Sequence, residues 1–286
     1  MRSVSRTLGV SFNAISRLLR DSGEAAWVHH DQTARGLQAS YLQADEIWGF
    51  AWCKERALSA AKAAPPGSGS IWTWTCLDAD SKFLVSYLVG RRDYGSALYF
   101  VSDIRERVDG RFQLSTDGLT HYRGAVEEVF GSDIDYGMQI KEFGKPETDE
   151  WRRYSPSQCL SSHRFPVMGY PNPDAISTSY VERMNLTLRM GMRRLTRLTN
   201  GFSKKAEQHA AMVALYAYWY NHCRPHLSLR SRSDNRVTPA MVAGLAYRPS
   251  TFEELIALVD ELAPKPNRPK TYRKRRFDNS ELVVRN

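Results

Sequence analysis

Three acids stand in local sequences suited to holding divalent metal. Asp45 lies within Tyr41-Leu-Gln-Ala-Asp-Glu-Ile-Trp-Gly-Phe50, Asp117 within Phe112-Gln-Leu-Ser-Thr-Asp-Gly-Leu119, and Glu182 within Tyr180-Val-Glu-Arg-Met-Asn-Leu-Thr-Leu-Arg189. The first two belong to runs that read as β-strands, and the third opens a basic helical stretch. An acid in a buried strand is costly unless it is paired or bound to metal. Carboxylates gathered from distant segments suit hard, oxygen-loving cations such as Mg²⁺. A pair of such ions can clamp the attacking and leaving oxygens of a phosphodiester. Each acid also has a plainer reading. Asp45 could be a satisfied structural acid, Asp117 a turn residue, since Asp-Gly is a turn signal, and Glu182 a surface acid paired with Arg183 or Arg189. Glu46, by strand alternation, is expected on the opposite sheet face and outside the site.

The stretch from 181 to 205 reads as one basic helix. At about 100° per residue, Asn185, Leu186, Arg189 and Arg193 lie within about 60° of Glu182. Val181, Met184, Leu188, Met192 and Leu195 form a separate apolar stripe that should pack on the sheet. Between 182 and 205 there is one acid, Glu182, against seven basic residues. A solvated helix usually mixes signs, so the imbalance fits contact with phosphates. The expected nucleic-acid contacts are Asn185, Arg189, Arg193, Arg194, Arg197, Lys204 and Lys205, joined by Arg17 and Arg20 near the N-terminus.

Those residues need elements to position them. In residues 3–22, Val4 and Leu8 would line a short helix, Gly9 would turn the chain, and Ser11 would cap a second helix with an Ile15, Leu18, Leu19 stripe. Helix, Gly turn, helix is the plan of a helix-turn-helix reader, although such domains usually carry a further helix in front, so the N-terminus is expected to be either truncated or misassigned. Residues 1–24 are thus a partial helix-turn-helix segment and 25–40 a linker, the polar stretch beginning at 23. Residues 41–226 form an α/β domain: a strand over 41–52, a loop over 60–70, a hairpin of strands 71–77 and 83–89, a helix over 94–108, a strand over 112–116, a helix over 122–130 and a strand over 134–140. Residues 145–178 read as a Pro-rich irregular insert. Helices follow from 177 to about 222, broken near Asn200-Gly201, and residues 227–264 hold two short helices at 238–243 and 252–262. His209 reads as a packed histidine, and the aromatics from Tyr216 to Tyr220 as core. Asp78 and Asp80 read as turn residues. Residues 265–286 form a tail with seven basic residues in the twelve from 265 to 276 and no apolar period, which is expected to be disordered.

Composition sets the outer bounds. The chain of 286 residues carries 40 Lys and Arg against 31 Asp and Glu, a net charge of +9; its pI near 9.4 points to a polyanionic partner. The four cysteines, Cys53, Cys76, Cys159 and Cys223, form no CxxC pair, which argues against structural zinc and suits a reducing compartment. No signal-peptide pattern or membrane-length apolar run is present.

The acid-bearing blocks resemble those of bacterial DDE transposases of the insertion-sequence-one type. The likeness is carried by Asp45-Glu-Ile-Trp-Gly-Phe50, Ser115-Thr-Asp-Gly-Leu-Thr-His-Tyr122, Val181-Glu-Arg-Met-Asn-Leu-Thr-Leu-Arg189, Arg194-Leu-Thr-Arg197 and Gly201-Phe-Ser-Lys204, and runs from about residue 1 to about 245. It implies a ribonuclease-H-like mixed sheet with flanking helices. It also implies Asp45, Asp117 and Glu182 as catalytic ligands of two Mg²⁺ ions, with Mn²⁺ as a substitute, and cleavage and strand transfer on double-stranded DNA. A dimer on DNA in the bacterial cytoplasm, near the nucleoid, goes with that class. A ribonuclease-H-like nuclease or resolvase would use the same acids, and an inactive DNA-binding regulator would use only the helix-turn-helix.

Overall fold

The computed structural model describes residues 1–144, 158–196, 200–229 and 236–262. Its centre is a six-stranded sheet in the order β3-β2-β1-β4-β5-β6: β1 (Tyr41–Ala51), β2 (Gly69–Asp78), β3 (Leu84–Gly90), β4 (Gln113–Thr116), β5 (Asp135–Phe143) and β6 (Cys159–Met168). The first three strands form an antiparallel meander, because each is joined to the next by a loop or tight turn. At the second turn Asp78 accepts from the backbone N–H of Asp80 and Ser81, so Asp78 acts as the turn residue that its position suggested. β4 and β5 run parallel to β1. They are reached through the helices α3 (Tyr94–Arg107) and α4 (Thr120–Phe130), the crossovers that parallel pairing requires. This order and direction make the protein a ribonuclease-H-like mixed α/β fold.

Two cores flank the sheet. On one face α3 and α4 bury Phe100, Ile104, Tyr122 and Val126 against Trp74, Leu42 and Leu114. On the other lie α5 (Ser179–Gly191) and α6 (Ala206–Tyr218). There Val181, Met184, Leu188, Met192 and Leu195 pack with Ile47, Leu77 and Leu84; this is the apolar stripe read from the sequence. Tyr216, Tyr218 and Tyr220 are buried, and His209 is buried between Ser203 and Thr73. These aromatics are core, as expected.

Of four regions that bear on the sequence reading, three depart from it and the last follows it. The polar stretch after residue 22 is no linker as far as Thr33: α2 runs unbroken from Phe12 to Thr33 after a short α1 (Arg2–Leu8). Its rear half is anchored because Gly23 has no Cβ, where one would meet the Ala211 backbone at 2.5 Å, and because Ala25 and Ala26 pack with Ala214 and Leu255. Arg107 of α3 ties the same half down through Asp31 and the carbonyls of His30 and Ala34. The front half keeps the expected helix, Gly9 turn in the left-handed region and Ser11 cap; of its stripe Leu19 is buried, Ile15 half-buried and Leu18 exposed, while Val4 and Leu8 of α1 are both exposed.

Second, part of the Pro-rich insert is β6, an edge strand antiparallel to β5; its Pro166 is tolerated because an edge strand need not donate on both sides. Third, the basic helix ends at Gly191, well before Asn200, and passes into a 3₁₀ turn at Arg193–Leu195. Fourth, the C-terminal region holds α7 (Pro239–Val242), capped by Thr238, and α8 (Phe252–Leu262), both as read. The basic tail lies outside the described residues.

Candidate metal centre

Register brings the first two acids together. β1 pairs with β4 only from Tyr41 to Ala44, and the last pair is Ala44 with Thr116. Asp45 and Asp117 are each the next residue, where the two strands part. Past this point β1 keeps β2 on one side, and on the other the described residues give it no partner until Ala51 bridges Ser203, so acids here open into the gap. Ligand oxygens of Asp45, Glu46 and Asp117 all lie within 4.8 Å of one another. Among the described residues this is the one grouping of three or more potential ligands of that kind.

Glu46 leaves β1 on the opposite face, as alternation predicts, meeting Tyr122 where Asp45 meets Asn185, yet it joins the cluster, against the expectation that it would stay outside the site. Its carboxylate is held in place by Arg92, which reaches Oε1 from Nε at 2.7 Å and from Nη2 at 2.5 Å, and more weakly by the Tyr122 hydroxyl at 3.4 Å. Arg92 in turn lies over the Trp72 ring at 4.6 Å. The signal available in the sequence was a second acid beside the first in a strand otherwise too apolar to carry one.

The third acid is positioned from β1 as well. The backbone N–H groups of Tyr180 and Val181, orphans of the first turn of α5, donate to Oε1 of buried Gln43 at 2.8 and 3.1 Å. This side-chain cap docks the N-terminus of α5 next to Asp45. Glu182 faces the cluster from there but stands outside it: Lys141 of β5 forms an ion pair with Oε1, and Thr178 donates to the same oxygen at 2.6 Å. Its side chain is 44% exposed.

The carboxylates feel one another. Burial, and then the charge of Asp117, push Asp45 up to about 6. The same two causes push Glu46 up to about 7. Asp117 is also raised, by burial first, with Glu182 adding to it and the Leu119 N–H and Arg92 opposing. Packed like charges of this kind are relieved by a cation. The donor set is all carboxylate oxygen, which fits Mg²⁺ or Mn²⁺ and argues against a soft metal. Asp45, Glu46 and Asp117 could hold an ion, and Glu182 is near enough for its charge to raise both Asp45 and Asp117.

The expected nucleic-acid contacts scatter. Arg17, Arg193, Lys204 and Lys205 are exposed. Arg20 pairs with Asp21 at 3.1 Å, and Lys205 with Glu207 at 3.6 Å. Arg189 is half-buried. Arg194 is also half-buried and points Nη2 at the Met1 sulfur, 3.0 Å away, so α1 sits beside this basic surface. Arg197 lies outside the described residues. Asn185 is turned inward and buried, which removes it from any DNA contact.

No protein-family profile and no curated protein sequence matches this chain. Among solved structures, a chain of the simian T-cell lymphotropic virus intasome in complex with PP2A regulatory subunit B56 gamma aligns at 13% identity with a TM-score of 0.35, covering 76% of this chain and 60% of that one. A chain of the piggyBac transposase synaptic complex with hairpin DNA aligns at 12% identity and 0.33, covering 80% of this chain and 58% of that one. This protein thus spans about three-fifths of the chains it resembles. The ribonuclease-H-like assignment rests on the strand order and directions given above.

Proposed function

We propose that this protein is a transposase that cuts DNA at the ends of a mobile element and joins them to target DNA by metal-dependent phosphodiester chemistry. The observation that carries the reading is the convergence of Asp45, Glu46 and Asp117 where β1 and β4 part, with Glu182 presented beside them by the capped start of α5. That geometry supports phosphodiester chemistry in general. The strand-transfer half, and the assignment of Asp45, Asp117 and Glu182 as the essential three, rest on the resemblance of their sequence blocks to the insertion-sequence-one class.

Bound Mg²⁺, two ions in this class, supplies a lowered pKa for an attacking water or 3′-hydroxyl and a counter-charge for the leaving oxygen. The protein's own part is to offer hard oxygen ligands whose mutual repulsion a cation relieves, and to steer the backbone with exposed Arg193, Lys204 and Lys205. Duplex DNA, bound by a dimer, is the partner this reading requires.

The test is incubation of the purified chain with DNA flanking its reading frame, with Mg²⁺ or with EDTA. The reading expects nicked and joined products with Mg²⁺ only. Cleavage without joining would move the protein to the nucleases. DNA binding with no cleavage under Mg²⁺ or Mn²⁺ would make it a regulator.

A further inference from the structure

Asn185 sits three residues beyond Glu182, one turn along α5, yet its side chain is nearly shut off from solvent, with 5% of the residue exposed. It spans the space between α5 and the strand pair β1–β2. Its Nδ2 donates to Asp45 Oδ2 at 2.9 Å, and its Oδ1 lies 2.9 Å from the hydroxyl of fully buried Thr75. The orientation of the amide follows from the inventory of donors. An ionised carboxylate only accepts, so the NH₂ must face Asp45, and the amide oxygen then needs a donor, which the Thr75 hydroxyl provides. That hydroxyl also lies 3.1 Å from the Asp45 carbonyl oxygen; its single hydrogen serves one acceptor at a time. The other Asp45 oxygen, Oδ1, accepts from the Glu46 N–H at 2.8 Å. Both carboxylate oxygens are thereby pinned, one by backbone and one by Asn185.

We infer that Asn185, supported by Thr75, is a positioning residue: it fixes the Asp45 carboxylate in the rotamer that faces Asp117, so that the pair is arranged for a divalent ion before the ion arrives. The inference rests on the proposed metal-dependent reading and adds to it a residue that touches neither ion nor DNA. Groups that orient metal ligands from behind typically contribute about 10–100-fold to metal affinity or activity.

The experiment measures Mn²⁺ binding to the free full-length protein by electron paramagnetic resonance, beside Mg²⁺-dependent cleavage and thermal melting. Asn185→Leu keeps the branched shape, with slightly larger ends, and removes both the donor to Asp45 and the acceptor for Thr75. It is expected to weaken Mn²⁺ binding by about tenfold or more and to slow cleavage at limiting Mg²⁺, with partial recovery at high Mg²⁺. Thr75→Val should do the same more weakly, and Thr75→Ser, which keeps the hydroxyl, should restore binding; this pair decides the matter if Asn185→Leu does not fold. Asp45→Asn separates the two levels. If that variant still cleaves with Mg²⁺, the metal-dependent reading itself fails. If it loses Mn²⁺ and cleavage while Asn185→Leu and Thr75→Val bind Mn²⁺ like the parent, the positioning role alone is overturned.

Discussion

The acids of this site are held in two different ways. Asp45 and Asp117 are fixed by strand register, each one residue past the last β1–β4 pair. Glu182 stands on a helix, is 44% exposed and is tethered by Lys141. Strand pairing cannot slip by one residue without turning every side chain over, so the first pair is as rigid as the sheet. An exposed ion pair contributes little, about 0–1 kcal/mol, and can be exchanged. The contrast teaches that the site is half prearranged and half adjustable; under the proposed metal-dependent reading the adjustable acid would trade Lys141 for a cation.

The largest effects should come from the rigid half. Asp45→Asn and Asp117→Asn keep shape and remove charge, and each is expected to reduce Mg²⁺-dependent cleavage to background in a gel assay, with DNA binding retained in a filter or mobility-shift assay. Near-parental cleavage by either would remove that acid from the site. Glu182→Gln should also lose cleavage, yet leave Mn²⁺ binding by the free protein weakened far less than Asp45→Asn does. Equal loss in the two variants would erase the distinction between the halves.

Stability offers a sharper test, because the sign reverses. Burial and the Asp117 charge raise Asp45 to about 6 in the folded protein, against about 3.9 in an unfolded chain. The folded state then holds the proton more tightly, so the stabilisation is complete below about pH 4 and lost as pH rises through about 6. In EDTA at pH 7.5, Asp45→Asn should therefore melt above the parent, by on the order of 1–2 kcal/mol, and the gap should narrow toward pH 4.5. A variant less stable than the parent at pH 7.5 would show that the carboxylate is not frustrated. The smallest effect belongs to the tether. Lys141→Met should change stability by less than about 1 kcal/mol and leave cleavage within a fewfold of the parent at saturating Mg²⁺; a loss as deep as that of Asp45→Asn would make Lys141 a member of the reacting site.

The sheet, the two crossover helices and the apolar stripe of α5 were legible in the sequence because each has a strong period or a clear turn. Glu46 was not: it keeps the alternate face, meeting Tyr122 of α4 while Asp45 meets Asn185 of α5, but β4 ends beside Ala44 and the longer side chain reaches the other acids round that open edge. β6 was hidden by Pro166 and by exposure on both faces, which leaves an edge strand without alternation. The rear half of α2 packs through Gly23, Ala25 and Ala26, whose small side chains give almost no hydropathic signal while allowing the closest approach. Asn185 read as a DNA contact because helical geometry placed it on the Glu182 face; that this face turns toward Asp45 at its start could be seen only once α5 was docked by Gln43.

α2 is 22 residues long and unbroken, a rod of about 33 Å at 1.5 Å per residue. Its rear is bolted to α3, α6 and α8, while Phe12, Arg17 and Leu18 of its front are exposed. A stiff bar with no joint works as a ruler. Whatever the front of α2 touches is therefore held at a fixed reach from the elements that grip its rear, with no hinge between them to absorb a change in spacing.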